Sequence, residues 1–321
     1  MDLDRMLDKC HKFQWKVGDL DWDRPPPSLS RDDEIAVVQY FTDMATIERL
    51  AGALFVEQAR RTDDPVLKEI FETFVTDELR HSHCAQMLAD HYDVNRYKVY
   101  QTNPALLRFF PHFIYSLRFI NPEFANLYIT TGELILDVAL LRSLDDFVDD
   151  EMSHEAMAKI NQDESRHIAI DFHMVEYYSS EEWAQILESL PPRPLRETVR
   201  AYWAYANVFR HARPFFKEVF FTPMERCDPT GRRMKEAFKR IQLLGTKPRV
   251  RKRPIAKFLF GLQDIHNHRV YGKIFGRVCV RILGVNSEVL TRLYTDREAS
   301  RANAMSFDEL AAEALQLKHG V

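Results

Sequence analysis

Asp77-Glu78-Leu79-Arg80-His81 and Asp163-Glu164-Ser165-Arg166-His167 spell one five-residue pattern, Asp-Glu-x-Arg-His, twice in a chain of 321 residues. A Glu and a His three positions apart share a helix face, one turn from each other. Two such helices, each helped by a further Glu from a neighbouring helix, are the ingredients of a dinuclear metal site inside a four-helix bundle. A single Glu-x-x-His is common on helices. Two copies, each with the same Asp before and the same Arg within, predict that architecture.

The flanking sequence predicts the helices. Gly occurs only 10 times, and apolar residues recur at helical spacing over most of the length, which reads as all-α. Pro25-Pro26-Pro27 forbids a helix, so residues 1–31 are expected to be an irregular N-terminal arm. Ser30 is placed to cap a helix over 31–61, with Asp32, Asp33 and Glu34 in its first turn. Thr62-Asp63-Asp64-Pro65 reads as a turn opening a helix over 65–92. A long crossover, 93–121, is rich in aromatics and broken by Pro104 and Pro111. Pro122 opens a third helix over 122–147, and Ser153 is placed to cap a fourth over 154–179. Two hairpins joined by one crossover make a four-helix bundle over 32–180. A helical C-terminal extension, 181–321, comes next, with helices predicted at 180–190, 195–220, 231–244, 254–283 and 306–318.

Antiparallel neighbours at equal height are equidistant from their turn, which selects the remaining ligands. Glu48 and Glu78 are centred on residue 63, inside the first turn. Glu57 falls near the opposite helix face and is set aside. Glu133 and Glu164 are centred between 148 and 149, at the second turn. The predicted ligand set is Glu48, Glu78, His81, Glu133, Glu164 and His167. Four carboxylates and two imidazoles without thiolate suit iron or manganese, and four Glu nearly neutralise two divalent ions. Asp77 and Asp163 are expected to hold the far N–H of each His, with Arg80 and Arg166 anchoring them.

Other residues one turn from the ligands leave alternatives open. Asp137 and Asp171 should point inward, either as a proton donor or alternative ligand, or as ion pairs with Arg142 or Arg166. Gly52 and Ala85 either leave room for a substrate or allow close helix packing. Phe41, Met44, Phe55, Phe71, Phe74, Leu140 and Met174 read as core.

Formal net charge is −4, but residues 226–281 hold sixteen Lys and Arg against three Asp and Glu, a local +13. Within it, 247–257 is a basic run: Lys247, Arg249, Arg251, Lys252, Arg253 and Lys257. It suits an acidic carrier protein, an acidic electron-transfer protein or an anionic membrane surface, or else a solvated face within a homodimer. No nucleic-acid-binding module accompanies it. Cys10, Cys84, Cys227 and Cys279 are scattered, as in a reduced protein. The charged first eleven residues do not read as a signal peptide, and no stretch reads as membrane-spanning. These features together predict a cytoplasmic protein.

The doubled pattern, the two flanking Glu and the crossover resemble the ferritin-like di-iron carboxylate proteins over residues 35–180. That group includes soluble methane and aromatic monooxygenase α-subunits, acyl-carrier-protein desaturases, the ribonucleotide reductase small subunit and p-aminobenzoate N-oxygenase. The resemblance implies an oxidoreductase with two iron ions, or one manganese and one iron. It would use O₂ as co-substrate and an external electron donor to hydroxylate, desaturate or N-oxygenate a small organic or acyl substrate. The other expectations are a ferroxidase-type or non-catalytic metal protein, and a carrier- or membrane-binding scaffold with structural metal. Ala85 stands where the reductase subunit carries its radical Tyr, Ile160 where the N-oxygenase adds a His, and Asp137 where monooxygenases often place a Thr. The motif implies the metal centre, while those positions leave the reaction open.

Overall fold

The computed structural model describes residues 1–283 and 290–319, without the side chains of Asp137, 281–283 and 317–319. The described residues are all-α, with no strand among them. Helix α2 (Arg31–Arg61) is capped by Ser30, whose Oγ accepts the Asp33 N–H at 3.3 Å. Helix α3 (Pro65–Tyr92) comes after a tight turn in which Asp64 Oδ1 accepts from Val66 and Leu67 at 2.9 and 3.0 Å, with Pro65 at the first position. The two form the most extensive helix pair in the protein. Both spans agree with the sequence because turn, caps and periodicity point the same way.

Helix α5 (Pro122–Ile135) runs through a π-helical turn, Leu136–Leu141, into α6 (Arg142–Val148). Asp149, at φ 50°, reverses the chain into α7 (Glu151–Tyr178). The cap of α7 is Asp150, which accepts the Ser153 N–H at 2.8 Å. Ser153, predicted as the cap, is buried and donates to Asp145 at 2.7 Å. Helix α5 pairs with α7, α2 touches α5 and α3 touches α7.

Several expectations are corrected. The first 31 residues are not an irregular arm: α1 (Leu3–Lys12) is capped by Asp2 and packs on α3 and α7 through buried Met6 and Cys10. Its single apolar stripe is short, and it ends well before the proline run at 25–27, which cannot affect it. The crossover contains α4 (Pro104–Ser116), which starts at Pro104 behind the Asn103 cap. The missing N–H of proline is harmless in a first turn, and α4 carries Pro111 within its length. The stretch Pro122–Val148 is long and apolar enough to cross a membrane, but 71% of its most apolar part is buried inside the protein. An all-round apolar helix of this kind belongs to a core.

Beyond α8 (Glu181–Ser189), helix α9 (Leu195–Phe215) continues through a second π-helical turn, Phe216–Phe221, into α10 (Thr222–Cys227). Then come α11 (Arg232–Thr246), α12 (Pro248–Arg251), α13 (Pro254–Asn267) and α14 (Tyr271–Leu283). The single helix predicted over 254–283 is thus broken at His268–Val270. Helices α15 (Asp296–Ala304, capped by Thr295 with Glu298) and α16 (Phe307–His319) complete the chain. Helix α9 covers α4, α11 covers the first π turn, and α16 lies on α7, so one apolar core draws on residues from Met6 to Ala314. The basic run is smaller than predicted. Lys247 is buried against the Ala302 and Met305 carbonyls, and Arg253 is paired with Glu123 at 2.9 Å.

Candidate metal centre

Each of the four central helices turns one Glu inward: Glu48 from α2, Glu78 from α3, Glu133 from α5 and Glu164 from α7. One turn on, α3 and α7 add His81 and His167. All six are buried, none more than 3% exposed. They form two overlapping groups, Glu48–Glu78–His81–Glu164 and Glu78–Glu133–Glu164–His167, and the ligand atoms of each lie within 4.8 Å of one another. Glu78 and Glu164 belong to both groups. Glu57, set aside on helix phase, pairs instead with Arg60 and Arg61.

The far side of each imidazole is held by the opposite helix. His81 Nε2–H donates to Asp163 on α7 at 3.0 Å, and His167 Nε2–H donates to Asp77 on α3 at 3.4 Å. Each predicted Asp therefore serves the His of the opposite helix. Arg80 and Arg166 each contact both Asp residues, so two acids, two arginines and two imidazoles knit α3 to α7. With Nε2 so occupied, Nδ1 of both rings faces the four Glu: His81 Nδ1 is 3.0 Å from Glu164, and His167 Nδ1 is 2.9 Å from Glu164 and 3.2 Å from Glu78.

Among the described residues, neither Nδ1, neither oxygen of Glu78, nor Glu164 Oε2 has a hydrogen bond of proper geometry. Buried acceptors are normally satisfied, and unpaired buried charge is costly. Burial, reinforced by neighbouring Glu charges, holds Glu48, Glu133 and Glu78 above the usual carboxylate range. Burial also disfavours charge on His81, His167 and Glu164. The carboxylates outweigh it and hold both imidazoles well above their ordinary range, while the imidazoles hold Glu164 well below its own. Two divalent ions fit this donor set: four carboxylates would balance their charge, and both Nδ1 atoms would be available to bind them.

Sequence reasoning missed Trp15. Its Nε1–H donates to Asp163 at 2.7 Å, its ring stacks near His81 at 6.5 Å, and Arg80 lies over its face at 5.1 Å. The adjacent Gln14 contacts Asp77 at 3.3 Å and Arg80 at 2.7 Å. The one signal was a Trp in a strongly charged stretch. Gly52 is explained by packing: a Cβ there would meet Glu78 Cβ at 3.3 Å. Ala85 is fully buried, and neither residue lines the cavity beside Glu133. The seven residues read as core are buried, and none of them lines that cavity either.

Asp171 is fully buried, and neither of its oxygens has a hydrogen-bond partner among the described residues. Burial holds its carboxyl well above the usual range against the pull of His167. Arg166, its expected partner, is committed to Asp77 and Asp163. The Asp137 side chain lies outside the described residues. Its backbone sits in the π turn, where four residues no longer make one helical turn, so spacing from Glu133 does not fix its face.

A cavity of about 390 Å³ reaches Glu133 from the side of α9 and α13. Ala51 and Leu54 line it from α2, Thr130 and Glu133 from α5, Phe215 and Phe220 from the second π turn and its approach. Both π-helical turns border it, through Leu136 and through Phe216, Phe220 and Phe221. Such turns are frequent where function demands a displaced side chain. No known protein family, curated protein or solved structure matches this chain.

Proposed function

We propose that the protein is a ferritin-like di-iron oxidoreductase that activates O₂ to hydroxylate, desaturate or N-oxygenate an organic substrate. The observation that carries this reading is the pair of overlapping buried groups with Glu78 and Glu164 in common. Glu48 with His81, and Glu133 with His167, would hold one ion each, and Glu78 and Glu164 would be shared between them. When bound, two irons supply the redox chemistry by which O₂ is reduced, with electrons from an external donor. Asp163 and Asp77 fix the imidazole tautomers and aim Nδ1 inward. The apolar walls beside Glu133 exclude water and position the substrate. Such a cavity favours an organic substrate over iron deposition, which calls for an acidic path for ions.

The test is anaerobic Fe(II) titration and then O₂ uptake with a chemical reductant. Two irons per chain with O₂ consumption, both lost in Glu164→Ala with helicity retained, is the expected result. Substoichiometric iron or no O₂ consumption would count against the reading. Deposition of iron without reductant demand would favour the ferroxidase reading instead.

A further inference from the structure

Helix α14 is amphipathic the wrong way round. Its small residues face inward: a Cβ on Gly272 would collide with the His266 carbonyl oxygen, Gly276 sits against the His266 ring, and Cys279 is buried. Three of its bulky apolar residues face outward, Ile274 62%, Phe275 50% and Val278 51% exposed. A helix of a water-soluble protein normally buries its large apolar side chains, and a contiguous exposed set marks an interaction surface. Lys273 and Arg277 are exposed beside them. Asp264 is the one acid between residues 252 and 280, against exposed Lys252, Lys257, Arg269, Lys273 and Arg277.

The neighbouring helices continue this pattern. Helix α9, in contact with α14, exposes Tyr202 and Trp203 among arginines. Phe209 on α9 and Phe258 on α13 are 40% and 46% exposed, and both also line the cavity that reaches Glu133. The cavity mouth therefore lies between α9 and α13, on the side where this apolar and basic surface is displayed.

We propose that α13, α14 and the outer side of α9 form a docking face for an anionic lipid bilayer, onto which the cavity mouth opens. Bulky apolar side chains mixed with Lys and Arg are what an interfacial helix needs: the first enter the acyl boundary while the second meet anionic headgroups. An acidic carrier protein would be met chiefly by the cations, whereas exposed Ile274, Phe275 and Val278 beside them suit an acyl boundary. Docked this way, an apolar substrate dissolved in the bilayer reaches Glu133 without crossing water. That delivery role rests on the proposed di-iron reading, whereas the docking does not.

The test is flotation of the full chain with phosphatidylcholine vesicles, with and without phosphatidylglycerol. The protein should float with the phosphatidylglycerol vesicles and be released by salt. The double variants Lys273→Glu/Arg277→Glu and Ile274→Ser/Phe275→Ser should each weaken binding at least about tenfold. All four positions are exposed, so folding should persist, checked by circular dichroism and by iron content. Retained iron with lost flotation separates docking from the metal centre. Equal flotation of variants and wild type, or failure of the wild type to bind, would overturn the proposal. So would capture by an acyl carrier protein that the same variants abolish while vesicles are ignored.

Discussion

Replacing Glu48 by Gln should stabilise the metal-free protein and weaken the metal-loaded one. Glu48 shares with Glu78 and Glu164 a cluster whose ligand atoms lie within 4.8 Å of one another. At an effective dielectric constant of 20, a like-charge pair at that distance costs about 3.5 kcal/mol. Glu48 can escape the repulsion by taking a proton, but neutralising an ordinary Glu at pH 7 also costs about 3.5 kcal/mol. Either way the metal-free fold carries a penalty of that order at this residue. Gln keeps the shape and a donor toward Glu78 but no charge, so a gain of about 2–3 kcal/mol at pH 7 is expected after partial relaxation. For a chain of this size that is roughly 4 °C in Tm. With metal bound the order reverses, because Gln is a poorer ligand and leaves positive charge unbalanced. The assay is thermal unfolding of chelator-treated and Mn(II)-loaded protein, wild type beside variant. If metal-free Glu48→Gln melts below metal-free wild type, and Mn(II) raises both equally, Glu48 is an ordinary structural acid and the metal-site reasoning fails.

Three further outcomes are expected. Trp15→Phe removes one donor from Asp163 and keeps only a smaller aromatic ring; loss of such a supporting contact should weaken metal binding about tenfold, read by Mn(II) titration, with a fall in Tm of a few degrees. Ala51→Phe, at the cavity wall facing α5, should fill the substrate space and abolish turnover while leaving two irons per chain; unchanged turnover would place the substrate elsewhere. Burial raises the Asp43 carboxyl from 3.8 to about 6, against hydrogen bonds from the Asn103 backbone N–H and Gln39. The folded protein therefore holds a proton that the unfolded chain releases in that window. The associated stability is complete below pH 3.8 and is lost as pH rises to about 6. Wild type should lose about 2.4 kcal/mol relative to Asp43→Asn between pH 4 and 7, measured by urea unfolding. A pH-independent difference would refute it.

The sequence carried the parts of this structure that local spacing encodes. Glu-x-x-His fixes a shared helix face without reference to the rest of the chain, and Ser30, Asp64 and Pro65 fix helix ends within a few residues. Counting outward from those ends brought Glu48 and Glu133 to the height of the motifs. The features that were not legible depend on partners far along the chain. Trp15 meets Asp163 from 148 positions away, and a Trp in a charged stretch does not by itself name so distant a partner. The π turn at Leu136–Leu141 has no sequence signature and forms where α11 packs against it, which is why counting from Glu133 stops working at Asp137. Gly52 was ambiguous because a glycine can serve space or contact, and only its 3.3 Å approach to Glu78 decides for contact.

The doubled motif makes the two halves of the centre nearly equivalent, and the residues around it undo that equivalence. Around His81 the surroundings are closed: Trp15 covers the ring, donates to Asp163 and takes the Arg80 cation on its face. Around His167, Phe74 and Phe55 pack at 4.1 and 5.1 Å, and the partner Glu133 alone among the six borders the cavity. The His167–Glu133 half is therefore the one that opens to the cavity, while the His81–Glu48 half is covered by the N-terminal segment. Removing that segment should disturb the covered half first. Truncation of residues 1–15 is expected to expose His81 and weaken one metal position more than the other, seen as two separated steps in Mn(II) titration where the full chain shows one. Two positions weakened alike would mean that α1 and Trp15 stabilise the bundle as a whole and do not distinguish its halves.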